Sequence, residues 1–145
     1  RDCGVLRRAR LLSDDIRREI WEKFVFLVGL SGTTTAIRLP IGPIRGNPHA
    51  RRFLLDIIRE AVAVGRAHGV ALAEDYADNR LAFCDGLPVD MTSSMHHDLQ
   101  RDKPLEVMWL AGAVAELGEA AGIPTPANRA VCGVLALHAQ GRQDG

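Results

Sequence analysis

Apolar residues recur at helical spacing along most of this chain, and glycine, proline and capping residues mark the breaks between the recurrences. A helix turns about 100° per residue, so Ile16, Ile20, Leu27 and Leu30 fall on one stripe. Ser13 is placed to cap this first helix, and Asp14 and Asp15 in its first turn suit the positive end of the dipole. The pattern predicts a helix that reaches about Leu30 and weakens through Gly32 and the threonines Thr33, Thr34 and Thr35. The segment RLPIGPIRGNP, Arg38 to Pro48, carries three prolines and two glycines and reads as a structured connection.

That connection ends in a start signal. Asn47 stands at an N-cap and Pro48 at the first helical position, followed by Phe53, Leu54, Ile57, Ile58, Ala61 and Val64 at helical spacing as far as Gly69. A shorter helix is predicted from Glu74 to Cys84, broken by Asp85, Gly86 and Pro88, and a fourth from Thr92–Ser94 to about Arg101. Lys103 and Pro104 open a fifth, with Leu105, Met108, Trp109, Val114 and Leu117 as its apolar contacts and Gly122 closing it. Thr125 and Pro126 repeat the cap-then-proline signal for a sixth, ending near Gln140. Period-2 alternation between hairpin turns is scarce and no segment repeats, so the expected fold is all-α, a compact multi-helix domain of about six helices.

Composition narrows the function classes. A chain of 145 residues suits one compact domain, and 47% apolar with 25% charged residues excludes disorder and low complexity. The formal net charge is zero, which argues against a nucleic-acid partner. The arginines Arg7, Arg8, Arg10, Arg17 and Arg18 are partly offset by Asp14, Asp15, Glu19 and Glu22 and read as a solvated face. Cys3, Cys84 and Cys132 are odd in number and form no CxxC, so neither a disulfide framework nor a thiolate metal site is expected, and a reducing cytoplasm fits. No apolar run reaches the roughly 18 residues of a membrane span, and no signal peptide opens the chain. The first residue is Arg1 rather than Met, so the chain reads as a piece of something longer, with residues 1–12 a linker, 13–140 the helical domain and 141–145 a polar tail.

The chemistry begins with one residue. The basic side chains are 16 arginines and only two lysines, and one of these, Lys23, interrupts the stripe of Ile16, Ile20, Leu27 and Leu30. A half-buried lysine can donate and regain a proton where an arginine cannot, which makes Lys23 a candidate acid; the competing reading packs its stem on apolar neighbours and lets the ammonium reach water. Glu106 shares a stripe with Trp109, Leu110, Ala113 and Leu117 and is either a helix-start charge or a site residue. Ser94, in TSSM, is either a cap or a ligand-contacting hydroxyl. His96 and His97 point about 100° apart and Gln100 stands at the fourth position after His96, so no metal shell is preorganised there. Met91, Met95 and Met108 read as core filling. Neither GxGxxG nor GxxxxGK[ST] occurs, so the chain has no nucleotide-binding loop of its own.

Two blocks, IWEKFVFLVGLSGTTTAIRLPIGPIR and MTSSMHHDLQRDKPLEVMWLAGAVAELGEAAGIPTPANRAV, resemble the C-terminal domain of the ketopantoate reductase (2-dehydropantoate 2-reductase) family from about Asp15 to Leu137. The second block is the more specific, with its serine-serine-methionine start, an aspartate, a glutamate shortly after a proline, and a closing GIPTPxN. The resemblance implies a fold like the C-terminal domain of 6-phosphogluconate dehydrogenase and a partner Rossmann domain, absent here, that binds most of an NADPH cofactor. It further implies a cytoplasmic oxidoreductase that reduces ketopantoate to pantoate, with Lys23 as catalytic lysine and general acid, Glu106 as the acidic active-site residue and Ser94 as a substrate contact.

The departures carry information of their own. The family often has asparagine one turn after the lysine, again four residues on, and shortly before the serine; here Leu27, Ser31 and Met91 stand at those places. A pocket so changed suits a bulkier or less polar 2-keto acid, because specificity follows which substrate groups leave buried partners unpaired. Two other readings stay open. One is a helical dimerisation or interaction domain that has lost catalysis, its apolar faces pairing two copies; the other is a different two-domain dehydrogenase, of the 6-phosphogluconate or 3-hydroxyacid type.

Overall fold

The computed structural model describes residues 2–142, and among them the regular structure is entirely helical. Helix α1 spans Asp2–Ile37, α2 Ile41–Gly46, α3 Pro48–Ala67, α4 Tyr76–Asp85 and α5 Ser94–Gln100. A 3-10 turn at Glu106–Trp109 leads into α6, Ala111–Ala121, and α7, Pro126–Leu135, ends in a second 3-10 turn at Ala136–His138.

The first helix differs most from its expectation. It runs from Asp2 through Ser13, which lies inside the helix and caps nothing, and past Leu30 to Ile37. The threonines do not end it because their hydroxyls bond back along it: Thr33 Oγ1 donates to the Gly29 carbonyl at 2.8 Å and Thr34 Oγ1 to the Leu30 carbonyl at 2.7 Å. Those bonds let Thr33 and Thr34 be fully buried with their hydroxyls partnered, whereas the equally buried Thr35 Oγ1 has no hydrogen-bond partner among the described residues.

The face that α1 turns to the core is also different. Trp21, Phe24, Val25 and Val28 pack inward, whereas Ile16, Ile20 and Leu27 are 54%, 62% and 48% exposed. The seam runs against α3, where Trp21 Nε1 donates to the Ala61 carbonyl at 3.0 Å. Gly65 makes room for that indole: an added Cβ would lie 2.2 Å from Trp21 Nε1. Gly65→Ala is expected to destabilise the domain by about 2 kcal/mol, because displacing the ring and its hydrogen bond outweighs a helix-propensity gain of about 1 kcal/mol. A lower urea midpoint at unchanged slope is the result that checks it.

The remaining elements follow more local rules. Asn47 caps α3 as expected, its Oδ1 accepting from the His49 and Ala50 N–H groups at 2.9 and 3.1 Å. The proline-rich connection contains α2, pinned to the segment before α5 because Ile41 N–H donates to the Met91 carbonyl at 2.8 Å and Gly42 N–H to that of Val89 at 2.9 Å. The predicted fifth helix is split: Leu105 donates its N–H to the Ala139 carbonyl at 2.8 Å, and Leu110, at φ −109° and ψ −92°, separates the 3-10 turn from α6. Met108 and Trp109 on that turn are 60% and 79% exposed and so fall outside the core, whereas Met95 is buried within it.

Helix α7 is capped from a distance. Thr125 makes no side-chain cap; the carboxylate of Glu60 on α3 accepts from Ala127 N–H, Asn128 N–H and Asn128 Nδ2, each at 2.9 Å. Near the start of the chain the expected solvated face is present, with Arg18 bridging Asp15 at 3.4 Å and Glu22 at 3.5 Å.

Candidate active site

Three elements meet around one opening. The second half of α1 supplies Leu27 and Ser31, α5 supplies Ser94, Met95 and Asp98, and the 3-10 turn and the residue after it supply Glu106 and Leu110; together they line a cleft of about 290 Å³. The α1–α5 junction is fixed by a buried hydroxyl pair, Thr34 Oγ1 and Ser93 Oγ at 2.7 Å. Ser93 is also the N-cap of α5, accepting from His96 N–H at 3.2 Å. The capping role therefore falls to Ser93, and the Ser94 hydroxyl is left exposed at the cleft.

Glu106 is exposed at the start of its 3-10 turn, and no ion pair among the described residues includes it. Asp98, which directly follows His96 and His97, places a second carboxylate on the same cleft. Its signal was its position one turn after Ser94 on the same face, legible once the helix start was known. Leu110, read from the sequence on the stripe of Glu106, lines the cleft with it although a break between two elements separates them. Met91 is not among the residues lining the cleft and packs against the core.

Lys23 is not among the residues lining this cleft. It lies one turn before Leu27, roughly 6 Å along the α1 axis at about 1.5 Å per residue. Its side chain is exposed rather than half-buried, because the stripe it interrupts faces away from α3. It borders a second cavity, with Phe26 of α1 and Tyr76, Arg80 and Phe83 of α4. Ser94 and Glu106 are thus brought together, and Lys23 is set one turn away.

His96 supports the α5 wall from behind. It is 5% exposed, its Nδ1 is paired with the Thr92 hydroxyl and its Nε2 has no partner. Burial holds its pKa below the ordinary 6.5, and the charges of His97 and Arg38 push the same way. The unfolded chain then binds the proton more readily, so the contribution is fully present above the unfolded pKa and is lost as pH falls through it. The urea midpoint is expected to drop between pH 7.5 and 5.5, and His96→Gln to flatten that dependence; an unchanged slope in the variant would assign it to other groups.

Among the described residues, no three His, Cys, Asp or Glu side chains gather to hold a metal ion. Cys84 is buried and its thiol is pushed up to about 11, chiefly by burial, so it is protonated and inert at neutral pH. No helix among the described residues is long and apolar enough to cross a membrane.

Fold and cleft together define the class as an all-helical domain in which α1, α5 and the turn before α6 enclose a cleft of hydroxyl, carboxylate and apolar side chains. The chain belongs to the family described as ketopantoate reductase PanE/ApbA C terminal, which matches residues 15–139. It is 30% identical over 122 residues to a 2-dehydropantoate 2-reductase of Caulobacter vibrioides, covering 84% of this chain and 41% of that protein. It is 27% identical over 128 residues to a 2-dehydropantoate 2-reductase of Pyrobaculum aerophilum, covering 88% and 45%. A dimeric ketopantoate reductase from Staphylococcus aureus has the same fold, with a TM-score of 0.79 and 24% identity over 85% of this chain and 43% of that one. The chain spans less than half the length of each.

Proposed function

We propose that this chain is the substrate-binding half of an NADPH-dependent reductase of 2-keto acids, with Lys23 as the general acid. The observation that carries the reading is that Ser94 and Glu106 open onto one cleft whose α1 wall continues, one turn back, to Lys23, in a chain of this family. The residues fit a substrate role rather than a cofactor role, since the chain offers a polar cleft and no phosphate-binding glycine loop. A nicotinamide held by a separate cofactor domain would supply the hydride, and this chain's residues would present the ketone carbon to it. Lys23 bonds the carbonyl oxygen and gives its proton to the developing alkoxide, then regains one from water. Ser94 donates to the substrate carboxylate, and Glu106 orients the substrate against Lys23.

Leu27 and Ser31, which stand where the family often has asparagine, line this cleft and offer a substrate hydroxyl no side-chain amide. The preferred substrate in this reading has an apolar group where ketopantoate has its hydroxyl. The test is NADPH oxidation with a panel of 2-keto acids, using the protein that carries this chain together with its cofactor domain. Larger apolar 2-keto acids are expected to exceed ketopantoate in kcat/KM by about tenfold. A preference for ketopantoate overturns the substrate assignment, and no reduction of any acid favours an interaction domain without catalysis.

A further inference from the structure

A 2-keto acid has a carboxylate on one side of its carbonyl and a substituent on the other, and the surroundings of Lys23 are divided in the same way. Toward Leu27 and Ser31, α1 leads into the Ser94–Glu106 cleft. On its other flank Lys23 itself lines a cavity of about 310 Å³, which it shares with Phe26, Tyr76, Arg80 and Phe83 and with the carboxylates of Glu19 and Glu22. At about 100° per residue, positions 19, 23 and 26 face this cavity and positions 27 and 31 face the cleft, so Lys23 occupies the ridge between them.

The cavity is walled by rings. Phe26 meets Phe83 edge to face with centroids 5.4 Å apart. The Arg80 guanidinium lies 4.6 Å from the centre of the Phe83 ring and 5.2 Å from that of Tyr76, and its Nη2 donates to Asn79 Oδ1 at 2.9 Å. These contacts and the hydrogen bond hold the Arg80 guanidinium over the two rings. Phe83 nevertheless remains 47% exposed, leaving aromatic surface open on the Lys23 side. A volume near 300 Å³, with the three rings of Phe26, Tyr76 and Phe83 forming its apolar surface and the charged side chains of Glu19, Glu22, Lys23 and Arg80 around them, suits a small ring or branched apolar group laid against the rings.

The geometry points to this aromatic cavity as the subsite for the substituent of the keto acid, an aryl or comparably large apolar group, with the carboxylate in the Ser94 cleft and the carbonyl oxygen at Lys23. The assignment rests on the reading of the chain as a 2-keto acid reductase. It names which acids are preferred and which residues choose them: Phe83 and Phe26 by contact, Arg80 and Tyr76 by shaping the wall.

The test compares kcat and KM for phenylpyruvate and 2-oxobutyrate in the protein carrying both domains, as wild type, Phe83→Ala and Phe83→Leu. Wild type is expected to favour phenylpyruvate. Phe83→Ala is expected to lower kcat/KM for phenylpyruvate about tenfold more than for 2-oxobutyrate, mostly through KM, and Phe83→Leu to restore part of the difference. Equal losses on the two acids, or no loss on either, overturn the subsite and leave the reductase reading in place. Should wild type reduce neither acid, the reductase reading fails and the subsite with it.

Discussion

Lys23→Ala is expected to lower kcat for the preferred 2-keto acid by about 10³-fold while KM changes by less than about threefold, because general-acid assistance acts on a charge that appears only in the transition state. The residue is unusually suited to a clean test. Its side chain is exposed, and no ion pair among the described residues includes it, so its removal leaves the packing of α1 on α3 intact. Lys23→Arg separates the two components of the role: a guanidinium retains the positive charge but does not give up a proton at ordinary pH. A variant arginine enzyme as slow as the alanine one assigns the loss to proton transfer, and one that recovers most of the rate assigns it to charge. Full activity in Lys23→Ala returns the residue to a solvated surface lysine.

The position of Lys23 also shows how far the sequence was readable. Periodicity grouped Ile16, Ile20, Lys23, Leu27 and Leu30 on one stripe, and of these only Leu30 is buried in the core. Helical spacing of apolar residues identifies a face and does not name its partner. The core took Trp21, Val25 and Val28, whose neighbours Ala61 and Gly65 lie some 40 residues away on α3. An apolar stripe broken by a lysine and left outside the core is what a domain presents when that face serves a ligand or another domain.

Local signals fared better because everything they need lies within one turn. Asn47 and Pro48 fixed the start of α3 from adjacent residues, and Gly122, at φ +72°, closes α6 where it was expected. TSSM was legible as a helix start but not in register, since only the fold shows that Ser93 pairs with Thr34 and leaves Ser94 free. The threonines Thr33 and Thr34 looked like a helix end for lack of knowledge that they would be buried, where back-bonding to Gly29 and Leu30 is their best available partner. The cleft itself joins residues 27 to 110, and spacing alone does not bring such positions together.

The same limit explains the cap of α7, and its removal is the largest stability effect expected. Glu60→Ala should destabilise the domain by about 3 kcal/mol, because one carboxylate satisfies two backbone N–H groups of the helix start and the Asn128 side-chain amide. Glu60→Gln retains one acceptor oxygen and should lose about 1 kcal/mol, chiefly the charge-assisted part and the favourable meeting of anion and helix N-terminus. Urea denaturation of the two variants measures both numbers, and a change below about 0.5 kcal/mol in Glu60→Ala would mean that Thr125 or water takes over the cap. The effect reaches the cleft by a short path. The chain end after α7 holds the segment before Glu106 through the bond from Leu105 N–H to the Ala139 carbonyl, and Val131 and Leu135 anchor α7 in the core. Glu60→Ala is therefore expected to raise KM at temperatures well below its unfolding midpoint, as the turn carrying Glu106 loses its support, whereas Gly65→Ala, which disturbs the packing of α3 on Trp21 instead, should leave KM unchanged while the domain stays folded.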